Sequence, residues 1–201
     1  METSPTVRIL TVCTGNICRS PVAERALQAG LDAVKPGTFR VRSAGTLAVA
    51  GAPVQLPSAR IIEGFGGSSD GFAARQLAPR MLRGTDLILT MTAAHRRDVV
   101  RLDPSVLKRT FTIREFARML TVLEERGAGP APDADLVTWW KALPGRAAAV
   151  RHLALVGDAA ENDVADPYGL GPEAYQRMED ELAPAVLAIL RFAHRTSPVE
   201  V

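Results

Sequence analysis

Thr6-Val7-Arg8-Ile9-Leu10-Thr11-Val12-Cys13 runs straight into Thr14-Gly15-Asn16-Ile17-Cys18-Arg19-Ser20-Pro21, and this stretch decides the fold. Its first half is short, rich in Val, Ile and Thr, and breaks at Gly15, the pattern of a buried strand. Its second half opens a helix. Ser20 suits the N-cap, Pro21 the first helical position and Glu24 the positive end, while Val22, Ala26, Leu27, Leu31 and Val34 fall on one face before Pro36-Gly37 stops it.

Working outward, the spacing predicts a second strand over Phe39–Ala44, a short helix over Gln55–Glu63, a strand over Asp86–Met91, a helix capped by Thr92 and running to Leu102, and a strand over Lys108–Ile113. Glycine-rich Gly64–Gly71 follows a helix rather than a strand, so it reads as a turn and not a phosphate loop. Glu115–Glu125 is helical and Gly127–Asp133 is a break. Leu136–Leu155 reads as helix interrupted at Pro144-Gly145, and Pro172–His194 as a last helix kinked at Pro184. Strand and helix alternate, which predicts a parallel sheet covered on both faces.

The 201 residues suit one domain, and 47% apolar with 23% charged residues is the composition of an ordinary soluble globule. A net charge of +2 gives no electrostatic case for nucleic acid or an anionic membrane surface. No apolar run reaches the roughly 18–20 residues of a membrane span, and Met1–Pro5 is too short and polar for a signal peptide, so a cytoplasmic location is expected. Cys13 and Cys18 are the only cysteines and His95, His152 and His194 are scattered, which excludes a disulfide framework and a zinc cluster.

The chemistry sits at the strand-to-helix junction. Cys13 ends a strand, Gly15 permits a tight turn, and Arg19 stands at the mouth of a helix. Backbone N–H groups of such a turn and helix start converge on a tetrahedral dianion, and a guanidinium fork clamps two of its oxygens. The same positive potential favours the thiolate of Cys13, the reactive species. A phosphate ester attacked by that thiolate needs an acid for its leaving oxygen, and Asp166, in Ala165-Asp166-Pro167-Tyr168-Gly169, is the best placed, with Asp163 and Asp158 as alternatives.

With these residues in hand, the chain resembles the low-molecular-weight protein tyrosine phosphatases. Cys13 to Pro21 is similar to that family's phosphate loop, Ser43-Ala44-Gly45-Thr46 to its second-strand signature, Asp86 to Met91 to its third strand, and Asp166-Pro167-Tyr168-Gly169 to its acid loop. The resemblance implies a three-layer α/β fold with a four-stranded parallel sheet of order 2-1-3-4, its site at the carboxyl end of the first strand. It implies Cys13 as nucleophile, Arg19 as clamp and Asp166 as acid and then base. The rest of the loop, Thr14, Gly15, Asn16, Ile17, Cys18 and Ser20, would hold phosphate, with Ser43 supporting it and Tyr168 lining the entrance. No metal or organic cofactor is implied, and the substrate is a phosphotyrosine protein or a small aryl phosphate.

The sequence departs from that pattern in three places. Leu47-Ala48-Val49-Ala50-Gly51 offers only Val49 where an aromatic wall is usual. Phe72 precedes Ala73-Ala74-Arg75 where a histidine is common, which removes a polar buttress of the loop. The chain is also longer than its relatives, with the excess read as a helical insertion at about 126–160 that carries Trp139-Trp140, either an anchor or a lid. Two other functions stay open: arsenate reduction resolved by an external thiol, and a phosphate- or phosphoprotein-binding module without turnover. Cys18 beside Cys13 is either packing or a redox guard.

Overall fold

In the computed structural model, which describes residues 6–131 and 134–197, four parallel strands form one sheet. Met1–Pro5 and the Pro132-Asp133 part of the predicted break lie outside the described residues. In chain order the elements are β1 (Val7–Cys13), α1 (Arg19–Val34), β2 (Phe39–Gly45), α2 (Leu56–Gly64), α3 (Pro79–Arg83), β3 (Leu87–Thr90), α4 (Ala93–Leu102), β4 (Thr110–Thr112), α5 (Ile113–Glu125), α6 (Leu136–Ala149) and α7 (Pro172–Thr196). The sheet order is β2-β1-β3-β4, the expected one.

Alternation along the strands builds the layers. Val7, Ile9 and Cys13 of β1 and Leu87 and Leu89 of β3 point into the larger core, shared with α1, α5, α6 and α7. Leu10, Val12 and Ile88 point the other way, to a smaller core with Leu82, Val99 and Val106. Because the chain steps from β1 outward to β2 and then back past β1 to β3, the carboxyl ends of β1 and β3 flank a switch point, where loops diverge and leave a crevice.

The differences from expectation have local causes. The first helix starts at Arg19, with Cys18 in the N-cap position and no side-chain cap among the described residues. Ser20 is therefore not the cap; its hydroxyl is spent elsewhere. Thr92 does cap α4, accepting from His95 N. The strand predicted over Lys108–Ile113 shrinks to Thr110–Thr112 because Pro104–Arg109 is a 3-10 helix, and the short α3 was not expected. α6 runs through Pro144 without the expected interruption, while α7 is one helix across Pro184, as read. In α6, buried Leu143, Pro144 and Ala147 hold the segment against the core, and this packing outweighs the missing N–H.

Trp139 and Trp140 are buried. Trp140 meets Phe39 edge-on at 5.0 Å, and Trp139 stacks on Phe192 at 5.7 Å. Phe39 opens β2, at the end of the sheet away from Cys13, so the pair anchors α6 to β2 and α7 and does not serve as a lid.

Candidate active site

Cys13 ends β1, and the loop from Thr14 to Cys18 turns the chain into α1. Four carbonyls of this turn face outward onto the segment after β2: Cys13 O accepts from Thr46 N at 2.9 Å, Thr14 O from Leu47 N at 3.0 Å, Gly15 O from Val49 N at 3.0 Å and Ile17 O from Gln55 N at 2.8 Å. In a trans peptide the N–H points opposite to the C=O, so the N–H groups of Thr14, Gly15, Asn16 and Cys18 turn to the concave side. Asn16 N donates to Cys13 Sγ at 3.3 Å, in keeping with this. Gly45 lets the two segments approach, since a Cβ there would stand 2.3 Å from Thr14 O.

A buried polar network holds the loop from behind. Asn16 takes the left-handed conformation, with φ at 55°. Its Nδ2 donates to Ser20 Oγ at 2.9 Å and Ser43 Oγ at 2.7 Å, and its Oδ1 accepts from Arg75 N at 2.7 Å. Ser43 in turn donates to Glu24, which also accepts from Arg75 Nη2 at 2.9 Å. Ser20 Oγ lies 2.9 Å from Cys13 Sγ. The buttress expected to be lost with Phe72 is thus supplied by Arg75 and Glu24, while the Phe72 ring lies under the Arg25 guanidinium at 5.6 Å. The side chains of Asn16 and Ser20 lie behind the loop, not in the cleft. Glu24 serves this network rather than the helix end.

Arg19 is 4% exposed, and its Nη1 donates to Val164 O at 3.2 Å. Its Nη2 pairs with Asp166 and reaches Thr14 Oγ1 at 3.4 Å, and its Nε is buried with no hydrogen-bond partner among the described residues. Asp166 is held by the loop before α7. Val164 N donates to Met91 O at 2.8 Å, and Ala165 N donates to a carboxylate oxygen of Glu181 at 2.6 Å. The other two carboxylates are engaged elsewhere and do not line this cleft: Asp163 accepts from Ala93 N at 2.7 Å at the start of α4, and Asp158 caps a 3-10 helix on the surface.

Cys13, Arg19 and Asp166 share a cavity of about 150 Å³ with Thr14, Gly15, Ile17 and Cys18 on its floor and Leu47, Val49 and Tyr168 at its mouth. Leu47 joins Val49 on the apolar wall, which was not foreseen. Cys18 Sγ lies 3.8 Å from Tyr175 Oη, and burial pushes its thiol up to about 11. His95, read as one of three scattered histidines, stands at the cleft, its Nε2 2.8 Å from Thr14 Oγ1.

Comparison with known proteins agrees with this arrangement. The family model described as low molecular weight phosphotyrosine protein phosphatase matches residues 8–125. The low molecular weight protein-tyrosine-phosphatase Etp of Escherichia coli (strain K12) is 41% identical over 108 residues, covering 54% of this chain and 70% of that protein. The low molecular weight protein tyrosine phosphatase from T. tengcongensis superposes with a TM-score of 0.66 at 27% identity, covering 92% of this chain and 99% of that one. The YwlE arginine phosphatase from Geobacillus stearothermophilus does so with a TM-score of 0.64 at 25% identity, covering 92% and 91%. A phosphate-loop cysteine at the carboxyl end of the central strand, in a sheet of this order and with matches of this extent, places the chain in the low-molecular-weight protein tyrosine phosphatase family.

Proposed function

We propose that the chain hydrolyses phosphotyrosine on proteins by two successive transfers through Cys13. The observation that carries this reading is the convergence, in one cleft, of a sulfur, a ring of inward N–H groups, a buried guanidinium whose Nε has no partner among the described residues, and a half-exposed carboxyl. The phosphoryl dianion rests on the inward N–H groups and on the fork of Arg19. The Cys13 thiolate attacks phosphorus, the bond to the tyrosine oxygen breaks, and the Asp166 carboxyl gives its proton to that oxygen. Water then attacks the phosphocysteine, Asp166 takes the water's proton, and the P–S bond breaks to release inorganic phosphate and restore the thiolate. Hydrogen bonds from Ser20 and from Asn16 N stabilise that thiolate both as nucleophile and as leaving group.

Tyrosine is favoured over other leaving groups by the apolar mouth of Leu47, Val49 and Tyr168, with Ile17 beneath it, which suits a planar ring. Cys18, held as a thiol by burial, is poorly suited to resolve an arseno-cysteine, so arsenate reduction here would depend on an external thiol. The test is release of phosphate from a phosphotyrosine peptide under reducing conditions, abolished in Cys13→Ser and slowed in Asp166→Asn. Turnover confined to a phosphoarginine peptide, or arsenate-dependent oxidation of a small thiol without ester hydrolysis, overturns the reading.

A further inference from the structure

The unassigned polar group most tightly tied to the cleft is His95, in the first turn of α4 and 6% exposed. Its Nδ1 lies 2.8 Å from Thr92 Oγ1 and its Nε2 lies 2.8 Å from Thr14 Oγ1. Thr14 Oγ1 also accepts from Arg19 Nη2 at 3.4 Å and lines the cavity beside Cys13. The two partners come from the loops after β3 and β1, so this relay bridges the switch point of the sheet.

The relay can run in two directions, and one of them frees the Thr14 hydroxyl. Thr92 Oγ1 accepts the backbone N–H of His95 at 3.2 Å as the cap of α4 and has one proton to give. Given to Nδ1, that proton satisfies the ring's acceptor, and the ring's own proton sits on Nε2 and is donated to Thr14 Oγ1. Arg19 can only donate. The Thr14 oxygen then accepts twice, and its hydroxyl proton is spent on neither neighbour and is available to the cavity. The opposite tautomer makes as many hydrogen bonds but spends the Thr14 proton on Nε2 and frees that of Thr92, which does not line the cavity; a phosphoryl oxygen beside Thr14 selects the first.

The geometry points to His95 as a positioning residue that holds Thr14 so that its hydroxyl donates to a phosphoryl oxygen of the bound monoester, adding one side-chain donor to the cradle of backbone N–H groups and Arg19. This rests on the phosphocysteine reading above. Burial supports it by holding the ring neutral: the imidazolium is pushed down to about 4, first by desolvation and then by the charge of Arg19, against the smaller opposing effects of Asp98 and Asp166. A neutral ring has one donor and one acceptor, as the relay requires. The non-bridging phosphoryl oxygens carry charge in substrate, intermediate and product alike, so the contact acts on binding of phosphate as well as on turnover.

The experiment measures kcat/KM for p-nitrophenyl phosphate and the inhibition constant of inorganic phosphate in Thr14→Val, Thr14→Ser, His95→Phe, His95→Gln and the double variant Thr14→Val/His95→Phe. Thr14→Val and His95→Phe each lower kcat/KM and weaken phosphate binding about tenfold, the loss of one hydrogen bond to a charged group. Thr14→Ser, which keeps the hydroxyl, recovers most of the loss seen in Thr14→Val, and His95→Gln, which keeps a donor, recovers part of that seen in His95→Phe. The double variant is no worse than Thr14→Val. The inference is overturned if Thr14→Val binds phosphate like wild type, or if His95→Phe costs as much in the Thr14→Val background as alone, which marks a merely structural histidine. Should His95→Phe fail to fold, His95→Gln replaces it in the same cycle. Absence of Cys13-dependent turnover in wild type sinks the phosphatase reading instead, while the phosphate-binding arm still reports on the Thr14 contact.

Discussion

Asp166 closes onto Arg19 across the mouth of the cleft, a carboxylate 48% exposed against a guanidinium 4% exposed. A phosphoryl group needs that same Nη2, so substrate and acid compete for one donor, and arrival of the substrate frees the carboxyl to turn toward the leaving oxygen. Asp166→Asn is expected to lower kcat by roughly 10²–10³. The drop is larger for phenyl phosphate than for p-nitrophenyl phosphate, whose phenolate departs with less help. Inorganic phosphate binds more tightly to the variant, because a competing anion has been removed from Arg19. Equal drops on the two esters would take Asp166 out of the acid role.

Glu24 is buried and accepts from both Ser43 and Arg75. Glu24→Ala leaves a buried hydroxyl and half of a guanidinium without their acceptor, and urea unfolding is expected to show a loss of about 1–3 kcal/mol. Glu24→Gln, which keeps one acceptor oxygen, loses less. Both variants lower kcat, because Ser43 and Arg75 in turn hold Asn16 and through it the loop around Cys13. A variant as stable and as active as wild type would show that the strut is dispensable.

These two cases mark where the sequence could be read and where it could not. β1 and β3 were legible because alternation and apolar runs have a period visible within a few residues, and Cys13 and Arg19 because they sit at a strand-to-helix junction whose local pattern is distinctive; Asp166 was one of three carboxylates on offer, favoured by its place in the loop before the last helix. Ser20 was misread as a cap because a serine before a proline at a helix start looks the same whether its hydroxyl bonds the backbone or a sulfur. Glu24 looked like a helix-end charge since its partners lie 19 and 51 residues away, and His95 looked idle since Thr14 is 81 residues away. Pro144 was misjudged for the opposite reason: its local signal is strong, and tertiary burial overrides it.

The apolar mouth sets affinity for the ring. Val49 is half exposed and Tyr168 is 61% exposed, so neither carries the core. Val49→Phe adds a wall on one side and is expected to lower KM for aryl phosphates severalfold, and Tyr168→Ala to raise it by a comparable factor. For an alkyl phosphate neither change moves KM. Steady-state kinetics on matched aryl and alkyl esters checks this, and a shift shared by both esters would count against ring stacking.

Trp140 is 1% exposed and meets Phe39, Trp139 and Phe192. Trp140→Ala is expected to cost about 3–5 kcal/mol of stability, the usual loss for a large buried aromatic. At a temperature where the variant is folded, KM for an aryl phosphate stays unchanged, since the ring cluster sits at the far end of the sheet from Cys13. A raised KM in a folded variant would restore the lid reading that the packing excludes.

Cys18 and Tyr175 make the protein sensitive to base. Burial pushes the Cys18 thiol up to about 11 and the Tyr175 phenol up to about 12, from ordinary values of 9.0 and 10.0. Each native pKa is raised, so the unfolded chain releases these protons first. Between about 9 and 11 it binds fewer protons than the native state, and stability falls as pH rises. The contribution is fully present below pH 9 and is lost as pH climbs through the native values. Urea midpoints measured from pH 8 to 10.5 should fall in wild type and fall less in Cys18→Ala, whose remaining slope belongs to Tyr175 and to other groups. Both sulfurs line the cavity and are equally buried, but only that of Cys13 has the Ser20 hydroxyl and Asn16 N–H turned to it, while Cys18 is held as a thiol, so at pH 7 iodoacetamide is expected to label Cys13 faster than Cys18. Labelling of both thiols at similar rates, read by peptide mass spectrometry, would show that Cys18 is not held as a buried thiol.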